Sequence, residues 1–244
     1  MNTGKVALVT GASRGIGAAI ARRLAEDGLR IALTYSSSPD RAAQVVQQIE
    51  NVGGRALALH ADAADPQAAT AAVEQTVAAF GCLDVLVNNA GVAAVGALDA
   101  LTPAQIDRMI DVNVRGAIHT IRAAVPHLSE GGRIITIGSV NAERIPFAGG
   151  AVYGMTKAAM SGLVRGLARD LGPRGITVNN IQPGPTANDR MPADGPLAES
   201  MLNWLALPRI GTPEEIAGLV SYLTGPQAAY ITGANLTIDG GFTA

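Results

Sequence analysis

Cysteine occurs once in this chain of 244 residues, at Cys82, which excludes an internal disulfide. Aromatic residues are scarce, at 3% of the chain, while Gly and Ala are abundant. That composition suits helices packed closely on a sheet and argues against an aromatic-rich β-sandwich. Histidine is rare as well, and His60, His119 and His127 show no paired metal-ligand spacing, so no metal is expected. Charge of one sign is missing: the formal net charge is −2, which offers no electrostatic reason to expect nucleic acid or an anionic membrane as partner. A small, specific ligand is expected instead. No stretch approaches the roughly 18 consecutive apolar residues of a membrane span. The opening "MNTGKVALVTGAS" lacks the long apolar region and cleavage site of a signal peptide, and a cytoplasmic location is the expectation.

What is present is alternation. The runs "KVALVT" (5–10), "RIALTY" (30–35), "RALALH" (55–60), "DVLVNN" (84–89), "RIITIG" (133–138), "ITVNNI" (176–181) and "NLTID" (235–239) read as seven buried strands. Between most of them lie Ala-rich segments with helical periodicity, at 15–28, 40–52, 66–80, 103–128 and 151–171. The pattern predicts an α/β fold: a doubly wound parallel sheet with helices on both faces, in one domain spanning 1–244. If the strand order reverses after the first three strands, a ligand crevice opens at the carboxyl ends of the first and fourth. The exception is 183–212, "PGPTANDRMPADGPLAESMLNWLALPRIGT", a proline-rich insert whose length predicts a substrate lid at about 185–210.

Directly after the first strand comes "TGASRGIG" (10–17), in which Gly11, Gly15 and Gly17 open a helix, with Ser13, Arg14 and Ile16 between them. Glycine permits the tight turn and lets backbone N–H groups approach a pyrophosphate, whose charge is favoured at a helix N-terminus. A dinucleotide is the expected ligand. NAD-preferring proteins usually end the second strand with an acid that bonds the ribose 2′-hydroxyl. Here the strand runs into "SSSPDR": Ser36 and Ser37 can bond a 2′-phosphate without repelling it, and Arg14 offers it a planar cation. NADPH is therefore expected over NAD, for which Asp40 would have to serve as the acid. Asp62, after the third strand, can accept from an adenine amine or cap the turn before "DPQAA".

In "AVYGMTKAAM" (151–160), Tyr153 stands four residues before Lys157, about one helical turn, so both should project from one face. An isolated phenol has a pKa of about 10 and a neighbouring ammonium lowers it, so the pair reads as a tuned general acid/base.

"TGASRGIG", "NNAG" (88–91), Asn113 in "DVNVRG", Ser139 in "GSVN", "YGMTK" (153–157) and "QPG" (182–184) occur in the order seen in the short-chain dehydrogenases/reductases, which the chain resembles from end to end. The resemblance implies a Rossmann-type subunit and hydride transfer between a nicotinamide cofactor and a carbonyl or alcohol. It implies Tyr153 as general acid, Ser139 as the hydroxyl orienting the carbonyl, Lys157 as the cation that binds ribose, and Asn113 as anchor of a water relay. It also implies that Asn88, Asn89, Ala90 and Gly91 line the adenosine side, that Pro183 and Gly184 approach the nicotinamide, and that the subunits form a homotetramer or dimer. Where many relatives carry threonine in "PGxxxT" this chain has Asn188, with Thr186 two residues earlier as the alternative contact.

For substrate contacts the expected residues are Ser139, Asn141 and Tyr153 at the reacting end, and Met201 and Trp204 from the insert. A substrate tethered to an acidic carrier protein would need a basic surface near the cleft, and "HLSEGGR" (127–133) offers none, so a free small ketone or aldehyde is favoured over a 3-oxoacyl carrier. The stretches "GSVNAERIPFAGG", "QPGP", "ADGP" and "GPQAAYITGANLTIDGGFTA" are also locally similar to a cyclic-di-GMP-binding regulatory member of the same family, the second reading of function.

Overall fold

The computed structural model describes residues 4–244. Seven parallel strands form one sheet: β1 (Val6–Val9), β2 (Arg30–Tyr35), β3 (Ala56–His60), β4 (Leu83–Asn88), β5 (Leu128–Ile137), β6 (Thr177–Pro183) and β7 (Asn235–Ile238). Their order is β3-β2-β1-β4-β5-β6-β7. The order reverses between β1 and β4, where the sequence pattern places a crevice.

The strands are buried on both faces because alternate residues serve two cores. Ala7 and Val9 face one core, with α1 (Gly15–Glu26), α2 (Pro39–Asn51) and α8 (Pro213–Thr224) packed over it. Val6 and Leu8 face the other, under α3 (Pro66–Phe80), α5 (Ala117–Ala124) and α6 (Ala151–Leu171). A smaller cluster of Leu101, Met109 and Val152 ties α4 (Pro103–Ile110) to α6, with Tyr153 packed against it.

Most boundaries lie within two residues of the sequence pattern, and two segments differ by more. The segment expected as one helix over 103–128 is divided: α4 gives way to a π-helical stretch, Asp111–Gly116, before α5. The amphipathic periodicity continues through it, so the wider turn leaves no mark in the pattern, and π turns concentrate at functional sites. β5 begins at Leu128, earlier than its β-branched run, with a register irregularity against β4 between Leu83 and Val85. Glycines at 131 and 132 concealed that extension.

The insert over 183–212 holds α7 (Pro196–Met201) and a 3-10 turn, Leu202–Trp204. Its two ends are stitched together: Gly211 donates to the carbonyl of Pro185 and Ala187 to that of Gly211, each at 2.9 Å. At its far end Thr212 caps α8 in a reciprocal capping box with Glu215. Arg209 grips the same glutamate at 2.7 and 2.9 Å and holds its carboxyl down at about 2.

Candidate active site

The glycine turn joins β1 to α1 at the reversal in strand order. Gly11 has φ +63°, and a Cβ there would lie 2.8 Å from the Cα of Ala90. Gly17 is more confined still, since a Cβ would meet Asn89 Nδ2 at 2.4 Å and the Gly11 carbonyl at 2.7 Å. Asn89 Nδ2 donates to the carbonyls of Thr10 and Gly11, and Thr10 Oγ1 accepts from the backbone N–H of Asn89 and of Ala90. "TGASRGIG" and "NNAG" are thus two halves of one structure. Arg14 occupies the N-cap of α1 in extended conformation without a side-chain cap, so the first N–H groups of the helix keep their capacity for an anion.

A cleft of about 760 Å³ opens beside this turn. Its walls include Arg14, Ile16, Asn89, Gly91, Ser139, Asn141, Tyr153, Lys157, Pro183, Gly184, Thr186 and Met201, so the structure brings together residues the sequence places far apart. Ser139 follows β5 in extended backbone and caps a 3-10 turn, accepting from the N–H of Asn141 at 3.1 Å. Tyr153 and Lys157 project from α6 on one side, with the Lys157 Nζ 5.8 Å from the centroid of the phenol ring.

Asn113 lies in the π-helical stretch. Its Oδ1 accepts from the N–H of Val92 at 2.8 Å, and its Nδ2 donates to the carbonyl of Val92 at 2.9 Å and to Thr156 Oγ1 at 3.0 Å. Thr156 Oγ1 in turn donates to the carbonyl of Tyr153. The buried asparagine therefore fastens the chain after "NNAG" to the helix that carries tyrosine and lysine.

The electrostatics of the pair run against the sequence expectation for the phenol. Burial pushes Tyr153 above its ordinary value, and hydrogen bonding with Ser139 offsets only part of that rise. Burial also brings Lys157, 6% exposed, down to about 8. Its ammonium donates to the carbonyl of Ile137 at 2.8 Å. The phenol is held protonated rather than made acidic.

The nucleotide end departs in detail. Ser36 and Ser37 are exposed at the end of β2 and line neither the main cleft nor a second one of about 590 Å³ beside Ser13, Arg14 and Gly15. That second cleft adds Arg22 from α1 and Arg41 from α2. Arg41 and Arg14 both pair with Asp189 of the insert, Arg14 at 3.5 Å. Arg41, Asp189 and Arg190 were absent from the sequence-derived set; the cue for Arg41 is its place in the first turn of α2, beside the strand end. Asp62 accepts from the N–H of Ala64 and forms a two-pronged ion pair with Arg108, both contacts at 3.0 Å. The turn-capping role is thus present in the structure.

Asn188 is engaged within the insert: its Nδ2 donates to the carbonyl of Thr186, and its Oδ1 accepts from the N–H groups of Arg190 and Met191. Trp204 is not among the lining residues. Its ring packs 6.4 Å from Phe147 and 6.2 Å from Phe242, and both phenylalanines line the cleft.

Comparison with known proteins agrees with this geometry. A family model described as Enoyl-(Acyl carrier protein) reductase matches residues 11–243. The cyclic-di-GMP-binding biofilm dispersal mediator protein of Escherichia coli K12 is 45% identical over 242 residues, 99% of this chain and 98% of that protein, so a similarity expected only over short stretches runs the whole length. A short-chain dehydrogenase/reductase from Serratia marcescens is 54% identical with a TM-score of 0.97, each chain covered to 99%. A short-chain dehydrogenase from Burkholderia cenocepacia in complex with NADP is 52% identical, again with a TM-score of 0.97 and 99% of each chain covered. The chain belongs to the short-chain dehydrogenases/reductases, a family of oxidoreductases.

Proposed function

We propose that the protein is an NADPH-dependent reductase of small, free ketones or aldehydes. The observation that carries this reading is the convergence of Ser139, Tyr153 and Lys157 in one cleft that continues to an uncapped helix N-terminus flanked by arginine. That N-terminus suits a pyrophosphate, and Arg14 with Arg41 suits a 2′-phosphate. The buried ammonium of Lys157 has Ile137 as its protein acceptor among the described residues, which leaves donors for ribose hydroxyls. NADP in the Burkholderia relative supports the same cofactor.

When bound, NADPH supplies the hydride. The carbonyl carbon that receives it leaves negative charge on oxygen, and Ser139 and Tyr153 are the hydroxyl donors that stabilise that charge. Tyr153 then gives its proton to the oxygen. A phenol whose pKa is raised by burial remains loaded with that proton through neutral pH, which favours the reductive direction. Asn113 holds the geometry by joining Val92 to Thr156. The insert, with Met191, Leu197 and Met201 on the cleft, acts as the lid that excludes water.

A second reading is supported by the end-to-end similarity to the cyclic-di-GMP-binding relative. The cleft bearing Arg14, Arg22 and Arg41, with Gln44 and Gln48, has the chemistry for a phosphate-rich dinucleotide. One pair of measurements separates the two: NADPH oxidation across a panel of ketones, and calorimetry with cyclic-di-GMP. Turnover without dinucleotide binding supports the reductase, and binding without turnover on any ketone supports the regulator.

A further inference from the structure

The main cleft is lined by three cations, Arg14, Lys157 and Arg190, and by no carboxylate. Two of the three are engaged: Arg14 pairs with Asp189, and Lys157 donates to Ile137. Arg190 makes no ion pair and no side-chain hydrogen bond among the described residues. Its backbone, by contrast, is fixed, because its N–H and that of Met191 both donate to Asn188 Oδ1, and Asn188 and Met191 exchange backbone hydrogen bonds at 3.0 Å in each direction. The asparagine that replaces the more common threonine thus builds the turn that brings an arginine to the cleft. The same cleft carries apolar lining at Val95, Phe147, Met191, Leu197, Met201 and Phe242.

We infer that the substrate is an oxo acid, with a ketone at Ser139 and Tyr153, an apolar segment along the wall, and a carboxylate that pairs with Arg190. The inference rests on the reductase reading of the same site. A guanidinium presents paired donors that match a carboxylate, and such charge-assisted bonds are the strong ones. With no carboxylate on the walls, nothing in the cleft repels an anionic substrate. An uncharged ketone would fill the apolar segment and leave the arginine without a partner. Selectivity for the acid over its ester therefore falls to Arg190, as a specificity-determining residue outside the proton-transfer machinery. The reaction balances without a further reagent: hydride adds to the ketone carbon as NADPH becomes NADP, the proton comes from Tyr153, and the carboxylate is unchanged.

The test uses 4-oxopentanoate, 5-oxohexanoate and 6-oxoheptanoate beside their methyl esters, with full-length protein. Arg190 is exposed and solvent screens the pair, so the acid with the best-fitting spacer should exceed its ester in kcat/KM by roughly 3- to 10-fold, and Arg190→Gln should collapse that ratio towards one. Arg190→Lys, which keeps the charge but not the fork, should restore part of it. Binding is measured separately with the corresponding hydroxy acids and hydroxy esters in the presence of NADPH, a combination in which both partners are reduced and no turnover occurs. Tighter binding of a hydroxy acid, lost in Arg190→Gln, supports the carboxylate contact at Arg190; if no ketone is then turned over, the reductase reading fails and the oxo-acid substrate falls with it, while the carboxylate contact stands. Equal binding of acid and ester overturns the inference while leaving the reductase reading intact. A rise in the KM for NADPH in Arg190→Gln, with the acid-to-ester ratio unchanged, also overturns it, because the arginine would then serve the cofactor.

Discussion

The ammonium of Lys157 donates to the carbonyl of Ile137 at 2.8 Å, at the end of the strand that leads into Ser139, and has no carboxylate partner among the described residues. A buried cation held by one backbone acceptor opposes folding, and its pKa, lowered to about 8, is the sign of that cost. The folded state binds fewer protons than the unfolded chain between pH 8 and pH 10.5, so this group lets stability rise with pH across that window and costs stability below it. A shift of one unit is worth about 1.4 kcal/mol, and losing the bond to Ile137 returns about 1 kcal/mol.

Lys157→Met should therefore raise the stability of the cofactor-free protein at pH 7 by on the order of 2 kcal/mol while it weakens NADPH binding. Chemical denaturation with and without NADPH reads both effects. A variant less stable than wild type at pH 7 would show that the lysine contributes packing rather than a desolvation cost. A gain in stability with unaltered NADPH binding would remove its role at the ribose.

Tyr153→Phe keeps the ring packed against Leu101, Met109 and Val152 and deletes the proton. Ketone reduction should fall by at least roughly 10²-fold, with NADPH binding retained. Because burial raises the phenol's pKa, wild-type reduction should show no loss from tyrosine ionisation below the ordinary value of about 10, and alcohol oxidation should accelerate as pH climbs towards it. A reductive limb lost near pH 7 and traced to the phenol by the Phe variant would contradict this assignment.

We propose the small-residue face of α6 as the surface for assembly. Ala158, Ala159, Gly162 and Gly166 are exposed, and a Cβ at either glycine would meet nothing within 4 Å. A homotetramer or dimer packed along this face should be dissociated by Gly162→Arg, whose side chain has free space in the subunit but none against a second helix. Light scattering at micromolar concentration should give a mass of two or four subunits for wild type and a smaller one for the variant. A monomeric wild type ends the proposal.

The inner strands were legible because β1, β2 and β4 are buried on both faces and read as short, largely apolar runs, and the edge strands β3 and β7, only partly buried, from their place in the β-α alternation. The long helices were legible from their periodicity, except where Asp111–Gly116 widens the turn, while the short α7 within the insert was not. Tyr153 and Lys157 could be placed on one face from spacing alone, but the direction of the tyrosine shift could not, because desolvation depends on what covers the ring. Trp204 was expected to touch substrate on its chemistry, whereas the lining residues from its aromatic cluster are Phe147 and Phe242, which the sequence pattern did not single out. Arg41 and Asp189 are 148 positions apart in the chain and meet only because the insert folds back across the glycine turn.

That meeting sharpens the prediction for cofactor choice. Asp189 sits between Arg14 and Arg41, and the hydrogen bond from Arg41 holds its carboxyl below the ordinary value, so it is ionised at neutral pH and competes for the cations that suit a 2′-phosphate. Arg14→Ala should weaken NADPH and leave NADH nearly unaffected, because the lost contact exists only where the phosphate does. The guanidinium is about half exposed, so solvent screening limits the loss to about 1 kcal/mol, roughly fivefold. Asp189→Asn should act in the opposite sense, strengthening NADPH by a few-fold. Ser37→Asp places a carboxylate where it repels the phosphate and accepts from a 2′-hydroxyl, moving preference towards NADH. Arg14 and Asp189 touch, so their effects should not add in the double variant. The readout is the ratio of kcat/KM for NADPH to that for NADH. If the wild type prefers NADH, the serines and arginines do not form a 2′-phosphate site. If Asp189→Asn lowers the ratio, the aspartate is a support that orients the arginines rather than a competitor for them.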